Sequence, residues 1–175
     1  MRTLLRILAV VLLLTSALLA QTENWVKYKN ADGNFSVLLP KEPEDRITND
    51  NSELVTHVIM SPDQGTMYSI TFTTMLEDQV VTEAMYDIYR DAVFKGMSSC
   101  LVGEEHPPTP ALDGYVGHSY KLNCIKANKP MTMVGSLYWG KRHAYAVLVM
   151  FPGDPPPDAK LKAFLDSFKN YTAPK

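Results

Sequence analysis

The chain has 175 residues, of which 46% are hydrophobic and 21% charged, and its formal net charge is −2. This length corresponds to one globular domain with a single core. A slightly acidic chain lacks the basic excess that replaces phosphate counterions, so the composition argues against a nucleic-acid partner.

The N-terminal residues follow the pattern of a secretory signal peptide. Arg2 and Arg6 supply a positive start, residues 7–14 are apolar, and a less regular stretch leads to the small residue Ala20. This order predicts cleavage after Ala20, with a cut after Ala17 as the alternative. No cysteine lies near the cut, which argues against a bacterial lipoprotein anchor.

Removal of this segment defines the expected mature protein. It takes away two of the 17 basic residues and none of the 19 acidic ones, so the net charge becomes −4. Because residues 4–20 are at the short limit for crossing a bilayer, an uncleaved anchor is the alternative fate. We expect a signal peptide over 1–20 and one globular domain over 21–175, periplasmic or extracellular and not inserted in the membrane.

The chain has two cysteines, Cys100 and Cys124, and both belong to the exported part. Thiols tend to oxidise outside the cytosol, so we expect one disulfide between them. Two buried, unpaired thiols are the alternative. The spacing excludes a catalytic Cys-x-x-Cys pair, and two cysteines alone do not make a zinc site.

Alternating side chains and turn residues predict two hairpins in the first half of the chain. Residues 25–39 form the first hairpin, with a turn over 30–34. The polar stretch 43–52 is expected to be a surface loop. Residues 53–60 and 66–75 form the second hairpin, and the latter has the period of a half-buried strand.

Two segments have helical periodicity. Thr82 is the expected N-cap of the first helix, whose apolar residues are three or four positions apart: Met85, Ile88, Tyr89, Ala92, Val93 and Met97. The second helix is expected to begin near Pro157 or Asp158, and its apolar face comprises Leu161, Phe164, Leu165 and Phe168. Both faces are predicted to pack against the core.

Three β-rich stretches follow one another between the helices: 115–125, 131–139 and 144–151. The connections between them are shorter than the dozen or more residues that a parallel crossover needs. We therefore expect an antiparallel meander, followed by the second helix and a polar tail over 169–175.

The order of these elements resembles that of the PsbP-like superfamily and its small exported bacterial relatives. The segment WVKYKNADGNFSVLLPKEP, a strand meander ending in AYAVLVMFPGDPPPD, and a last helix KLKAFLDSF carry the resemblance. Its particular motifs are Gly33 to Val37, which leads to Leu39 and Pro40, and Phe164 to Phe168. These motifs are structural, and the resemblance as a whole covers most of the mature chain.

The resemblance implies an α+β fold, a single-domain α/β/α sandwich with a mainly antiparallel sheet flanked by helices. It also implies a role in docking to other proteins, since better-known members act in that way. No catalytic motif of the family maps onto this chain.

Histidines are the first candidates for chemistry, because imidazole titrates near neutral pH and binds metals. None of the four has the spacing that places two ligands on one helical face: His57, His106, His118 and His143. Ser119 follows His118, but neighbours in a strand point to opposite faces, so a nucleophile–base pair is not expected. We assign no catalytic, metal-binding or cofactor-binding residue and expect no cofactor.

Aromatic residues give the candidate interaction surface. Tyr138 and Trp139 are adjacent in a predicted strand, so one of them faces outward or lies beneath a helix. Such side chains bury much area while keeping a polar end, which suits binding surfaces. Core packing is nevertheless the favoured role for both, and the interaction surface is the alternative.

These observations together favour a noncatalytic exported protein that binds or helps to assemble another envelope protein. One alternative is a small-ligand or metal carrier in the periplasm. Another is an envelope hydrolase, which would lose activity when His57, His118 or His143 is replaced by alanine. The sequence does not fix the oligomeric state.

Overall fold

The computed structural model describes the following residues: 24–50, 54–97, 100–126, 128–153 and 155–171. The predicted signal peptide, residues 1–20, lies outside them. Neither helix among the described residues has the length and apolar character that a bilayer crossing requires.

Ten strands and two helices make up the described part of the chain. The strands are β1 (Val26–Asn30), β2 (Phe35–Leu39), β3 (Glu44–Asp50), β4 (Leu54–Asp63), β5 (Thr66–Met75), β6 (Cys100–His106), β7 (Val116–Lys126), β8 (Lys129–Trp139), β9 (His143–Pro152) and β10 (Lys169–Asn170). The helices are α1 (Glu83–Gly96) and α2 (Asp158–Ser167). All strand pairs are antiparallel, in a small sheet of order β1-β2-β10 and a large sheet of order β3-β4-β5-β9-β8-β7-β6.

The small sheet is built on the first predicted hairpin, which is confirmed. Asn30 pairs with Phe35 across it, and the Gly33 amide donates to the Asn30 side-chain oxygen at 2.7 Å. Asn34 has a φ of 51°, a left-handed conformation that asparagine adopts more readily than most residues. The short strand β10 then pairs with the start of β2. The polar tail therefore contributes a strand that its composition does not indicate.

One hydrophobic core lies between the two sheets. Alternate residues of β2 are buried there: Phe35, Val37 and Leu39. They meet Tyr68, Ile70 and Phe72 of β5, together with Phe164 of α2 and Phe168 just after this helix. The buried residues are thus two positions apart in the strands and three to four apart in the helix, as the sequence predicts.

The second core lies on the other face of the large sheet, beneath α1. Thr82 caps this helix, since its side chain accepts from the Met85 amide at 3.3 Å. Tyr86 is fully buried, and Tyr89, Val93, Phe94 and Met97 pack beside it. Ile88, expected to face the core, is 63% exposed, and Ala92 is exposed too. The buried face of α1 is therefore centred on Tyr86, a residue that the predicted apolar face does not include.

The second hairpin and the meander are confirmed. Strands β4 and β5 pair along their whole length and join through Gln64 and Gly65, both with positive φ. Two such residues form the tight turn that suits the twist of a hairpin. Strands β7, β8 and β9 are consecutive antiparallel neighbours.

The expected α/β/α sandwich with a sheet flanked by helices is wrong. Of the described residues, 54% lie in strands and 17% in helices, and these strands form two sheets of three and seven. The first hairpin joins β10 instead of the large sheet, so a second sheet occupies most of one face. The predicted loop over 43–52 is also largely strand β3, an exposed edge strand whose residues lack apolar alternation.

The predicted disulfide is confirmed. Cys100 of β6 lies directly opposite Cys124 of β7, with the two Cα atoms 3.9 Å apart and 24 positions between them in sequence. Their sulfur atoms face the α1 side, where Cys124 is buried. The bond therefore fixes the edge strand to the sheet.

Loss of the disulfide should destabilise the protein by roughly 3 kcal/mol, because the unfolded chain regains the freedom of the closed loop. We expect the double variant Cys100→Ala, Cys124→Ala to show this loss in urea unfolding. Reduced wild-type protein serves as the matched comparison and should unfold at nearly the same urea concentration. An unchanged free energy of unfolding would contradict a constraining role.

Candidate functional site

The candidate site is the free edge of the large sheet at β6. This strand is the last in the sheet and pairs only with β7 among the described strands. Leu101 is 76% exposed and Val102 50%, while Ile125 on the neighbouring strand is 62% exposed. Leu101 and Ile125 share one face of the sheet and line one cleft, whereas Val102 pairs with Leu122 and points to the opposite face. Single apolar residues are ordinary on a surface, but contiguous apolar surface such as that of Leu101 and Ile125 marks an interaction site. We refer to Leu101, Val102 and Ile125 as the edge patch.

Part of the edge patch is exposed because the small sheet does not reach this end of the large sheet. Side chains of β7 alternate between the two faces, and Leu122 and Cys124 are buried beneath α1. Lys121, Asn123 and Ile125 point to the other face and are exposed. The core between the sheets draws its large-sheet residues from β4, β5, β8 and β9. The face of β7 over residues 121–125 is therefore open.

An apolar cleft lies beside the edge patch. It has a volume of about 330 Å³ and is lined by residues of β6, β7 and β8, among them Leu101, Ile125, Pro130 and Met131. These residues lie near the β7–β8 turn, so strand pairing holds the walls in place. The cleft can receive an apolar side chain from another molecule.

The second half of β6 differs from the first half. A bulge falls between Val102 and Glu104, and bulges weaken the pairing of edge strands with further strands. Glu104 binds the Lys121 ammonium at 3.1 Å, and Glu105 lies 2.9 Å from the His118 ring. The apolar first half, next to the disulfide, is thus the part suited to apolar contact.

A larger polar cleft, of about 880 Å³, lies where the small sheet meets the β8–β9 turn. Its inner wall includes His143 and Tyr171, and Tyr145 lies close behind. The Tyr145 hydroxyl donates to the Gly33 carbonyl at 2.6 Å and the Tyr171 hydroxyl to the Asn30 carbonyl at 2.8 Å. His143 Nε2 donates to the Asp32 carbonyl at 3.0 Å. We call His143, Tyr145 and Tyr171 the turn cluster.

The turn cluster has a structural role. Its polar atoms satisfy the backbone of the β1–β2 turn, which would otherwise be buried without partners. Burial raises the pKa of Tyr145 far above its usual value, so its hydroxyl stays a donor. At the rim of the cleft, Lys141 and Arg142 both pair with Asp78, at 2.6 and 3.5 Å. That pairing lowers the pKa of Asp78 and neutralises much of the positive charge.

The four histidines occupy separate surroundings. His57 is buried, stacks on Phe72 at 4.4 Å and lies 3.2 Å from Asp45. His106 is exposed, and His143 belongs to the turn cluster. His118 lies between Glu105 and Glu83 and stacks on Tyr86. Within the described residues, no group of three or more His, Cys, Asp or Glu side chains could hold a metal ion.

Ser119 is not paired with its neighbour His118. Its Oγ lies 2.6 Å from Ser136 Oγ and accepts from the Thr109 amide at 3.0 Å. His118 faces α1 on the opposite side of the strand. The geometry therefore gives no activated serine at this position, as strand alternation predicts.

Tyr138 and Trp139 face opposite sides of the sheet, as their adjacency predicts, but they do not form an exposed surface. Tyr138 is 1% exposed and donates to the Pro110 carbonyl at 2.8 Å. Trp139 is partly buried against Tyr89, and its indole N–H donates to the Val80 carbonyl at 3.0 Å. Tyr138 thus belongs to the core, and the edge patch is among the exposed apolar residues that lie elsewhere on the described surface.

The edge patch was not predicted from the sequence. Alternation along β7 was the sequence feature that could have indicated it. Tyr120, Leu122 and Cys124 lie on one side of this strand, so Ile125 lies on the other. Pairing Cys100 with Cys124 then sets the register of β6 and makes Leu101 face outward with Ile125. What the sequence could not show is that nothing in the described chain covers that face.

Comparison with protein-family models, with curated proteins and with solved structures gives no match for this chain. The resemblance to the PsbP-like superfamily therefore stays a prediction. The geometry of the fold is the basis on which a function can be inferred.

Stability should fall as the pH drops below the ordinary histidine pKa of 6.5, because His143 is buried in its neutral form. Burial lowers the pKa of His143, and the charge of Arg142 acts in the same direction. The unfolded chain thus binds a proton at higher pH than the folded chain, and stability is lost as the pH falls from 6.5 to the lowered pKa.

The check is urea unfolding from about pH 7.5 to pH 5 in wild type and His143→Gln, which keeps an N–H donor for Asp32. The wild type should lose more stability over this range than the variant. Equal pH dependence in both proteins would show that His143 does not titrate as described.

Replacing Tyr145 with Phe should cost about 1–3 kcal/mol, because the Gly33 carbonyl is left buried without a donor. Tyr28→Phe is the comparison variant, since the half-buried Tyr28 hydroxyl accepts from Asn30 Nδ2 at 3.2 Å and reaches Asp45 at 3.4 Å. Its loss should cost less, about 0.5 kcal/mol, because water can replace these longer bonds. Similar losses in the two variants would argue against the turn cluster as the link between the sheets.

Proposed function

We propose that the protein is exported and acts as a noncatalytic binding domain for another envelope protein, taking an extended segment of that partner along β6. The observation that carries this proposal is the free edge of β6 with the exposed side chains of Leu101 and Val102. Neither alternative function, a carrier or a hydrolase, would make use of an apolar strand edge of this kind.

An edge strand offers a row of backbone N–H and C=O groups without strand partners. An extended peptide can add to such an edge, so that main-chain hydrogen bonds give affinity and alternate side chains give specificity. The disulfide supports this role, because it holds the first residue of β6 against β7. The edge is thus formed before a partner arrives, which lowers the entropy cost of binding.

The side chains of the added segment would alternate between the two faces of the sheet. Those on the open face would contact Leu101 and reach the apolar cleft beside Ile125. A segment with an apolar residue at every second position therefore fits this edge. Because Glu104 and Glu105 follow the bulge, a basic residue beyond the apolar positions would complement their charge.

A disulfide also supports the proposed compartment. A bond between Cys100 and Cys124 persists in oxidising surroundings such as the periplasm or the extracellular space. Export would follow from the signal-peptide pattern of residues 1–20. The partner would then belong to the same compartment.

Changing Leu101 to Lys should reduce the recovery of the partner at least tenfold, because a charge replaces an apolar contact in the binding edge. The measurement is cross-linking of the tagged, oxidised protein in its native host, followed by quantitative mass spectrometry. Ile47→Lys is the matched control, since Ile47 is 62% exposed on β3 at the opposite edge of the same sheet.

The control variant should recover the partner as well as the wild type does. Both substitutions replace an exposed apolar residue, so neither should unfold the protein. Equal loss in both variants, or no loss in either, would contradict binding at β6.

A further inference from the structure

The outer face of the small sheet carries three exposed lysines, Lys27 and Lys29 of β1 and Lys169 of β10. Lys29 and Lys169 lie directly opposite Ser36, on either side of β2. Because the neighbouring Phe35 is buried in the core, Ser36 and the two lysines in register with it face outward. Lys27 is two positions from Lys29 and lies on the same side. We refer to Lys27, Lys29 and Lys169 as the lysine face.

The lysines of this face are close to one another. Adjacent strands are about 4.8 Å apart, so the backbones of Lys29 and Lys169, with β2 between them, are about 10 Å apart. Lys27 is about 7 Å from Lys29 along the same strand. These separations are near the screening length of about 8 Å at physiological ionic strength. The three ammonium groups therefore act as one positive surface.

The lysine face has the opposite charge to the chain as a whole. The chain has a net charge of −2, whereas the three strands of the small sheet contain three lysines and no acidic residue. Asp166, which lines a cleft together with Lys27 and Lys169, is paired with Lys162 at 3.5 Å. The lysine ion pairs of the described residues involve lysines outside this face: Lys121, Lys141, Lys160 and Lys162. Its positive charge can thus meet a negative partner.

We propose that the lysine face docks on a membrane surface of anionic lipids. Lysine binds phosphate groups as a point charge, and basic residues close to such a surface are attracted by its negative potential. Leu38 lies opposite Lys27 on the same side of the sheet and is partly exposed, so an apolar contact accompanies the charges.

The position of the lysine face in the chain favours a membrane over an acidic protein. The predicted apolar segment ends at Ala20, and β1 begins at Val26. Because an extended chain spans at most about 3.6 Å per residue, Val26 lies within about 22 Å of Ala20. While that segment is attached and held in a bilayer, the lysine face is therefore close to lipid headgroups.

This argument from position rests on the export proposed above. Vesicle binding does not depend on binding at β6, because the lysine face belongs to the other sheet. Failure of one proposal is therefore distinguishable from failure of the other.

The test is co-sedimentation of the exported protein with lipid vesicles at low ionic strength, where the screening length is about 30 Å. One preparation contains equal parts of phosphatidylglycerol and phosphatidylcholine, and the other contains phosphatidylcholine alone. We expect binding to the anionic vesicles that weakens with added salt, and no binding to the neutral ones. Equal binding to both would overturn the proposal, because an apolar contact would then hold the protein on the vesicle.

Lys29→Gln combined with Lys169→Gln removes the charges on either side of Ser36 and should weaken binding to the anionic vesicles at least tenfold. Lys95→Gln combined with Lys129→Gln is the matched control, since it removes the same charge at exposed positions on α1 and at the start of β8. The control should keep most of the wild-type binding. Equal losses in the two double variants would attribute binding to total charge and overturn the proposal.

Polyglutamate serves as a soluble acidic chain that separates a lipid surface from an acidic protein partner. We expect it to compete poorly with the anionic vesicles, because a flexible chain loses conformational entropy when it is ordered on the protein. If polyglutamate shifts the NMR signals of Lys27 and Lys29 while the vesicles do not bind, the partner is an acidic protein segment and the lipid proposal is overturned.

Discussion

The packing of Phe35 against the large sheet is the interaction that determines how the two sheets assemble. Its ring lies 5.6 Å from that of Phe72, 6.0 Å from Tyr145 and 5.4 Å from Phe168, so one side chain contacts β5, β9 and the residue that follows α2. Such aromatic pairs add stability beyond the area they bury. The small sheet is held over the middle strands of the large sheet in this way, and it does not extend over β7 and β6 on that face.

The two ends of β9 differ in how the polar groups buried beside them are hydrogen-bonded. At its start, His143 and Tyr145 are hydrogen-bonded to the β1–β2 turn, so the buried polar atoms there are engaged in joining the sheets. At its end, near Phe151, the hydroxyl of Tyr68 is buried without a partner among the described residues. Buried polar groups are normally satisfied, so the two ends of β9 differ in how the core treats its tyrosine hydroxyls.

Local features of the fold were predictable from the sequence, while its assembly was not. Alternation identified the hairpins and the meander, and compartment chemistry identified the disulfide. The segment Glu44–Asp50 resembles a loop in sequence because an edge strand exposed on both faces has no apolar period. Alternation also reports which side of a strand is buried but not what covers it. It could therefore not separate the two sheets or show that Leu101 is exposed.

Binding at the β6 edge can be tested by hydrogen exchange of the oxidised protein with and without its cross-linked envelope partner. Amides that gain hydrogen-bonded partners exchange more slowly. If the partner adds to β6, exchange will be slower over Cys100–His106 in the complex and unchanged over Glu44–Asp50 at the opposite edge. Slower exchange over Glu44–Asp50 with none over Cys100–His106 would contradict binding at β6.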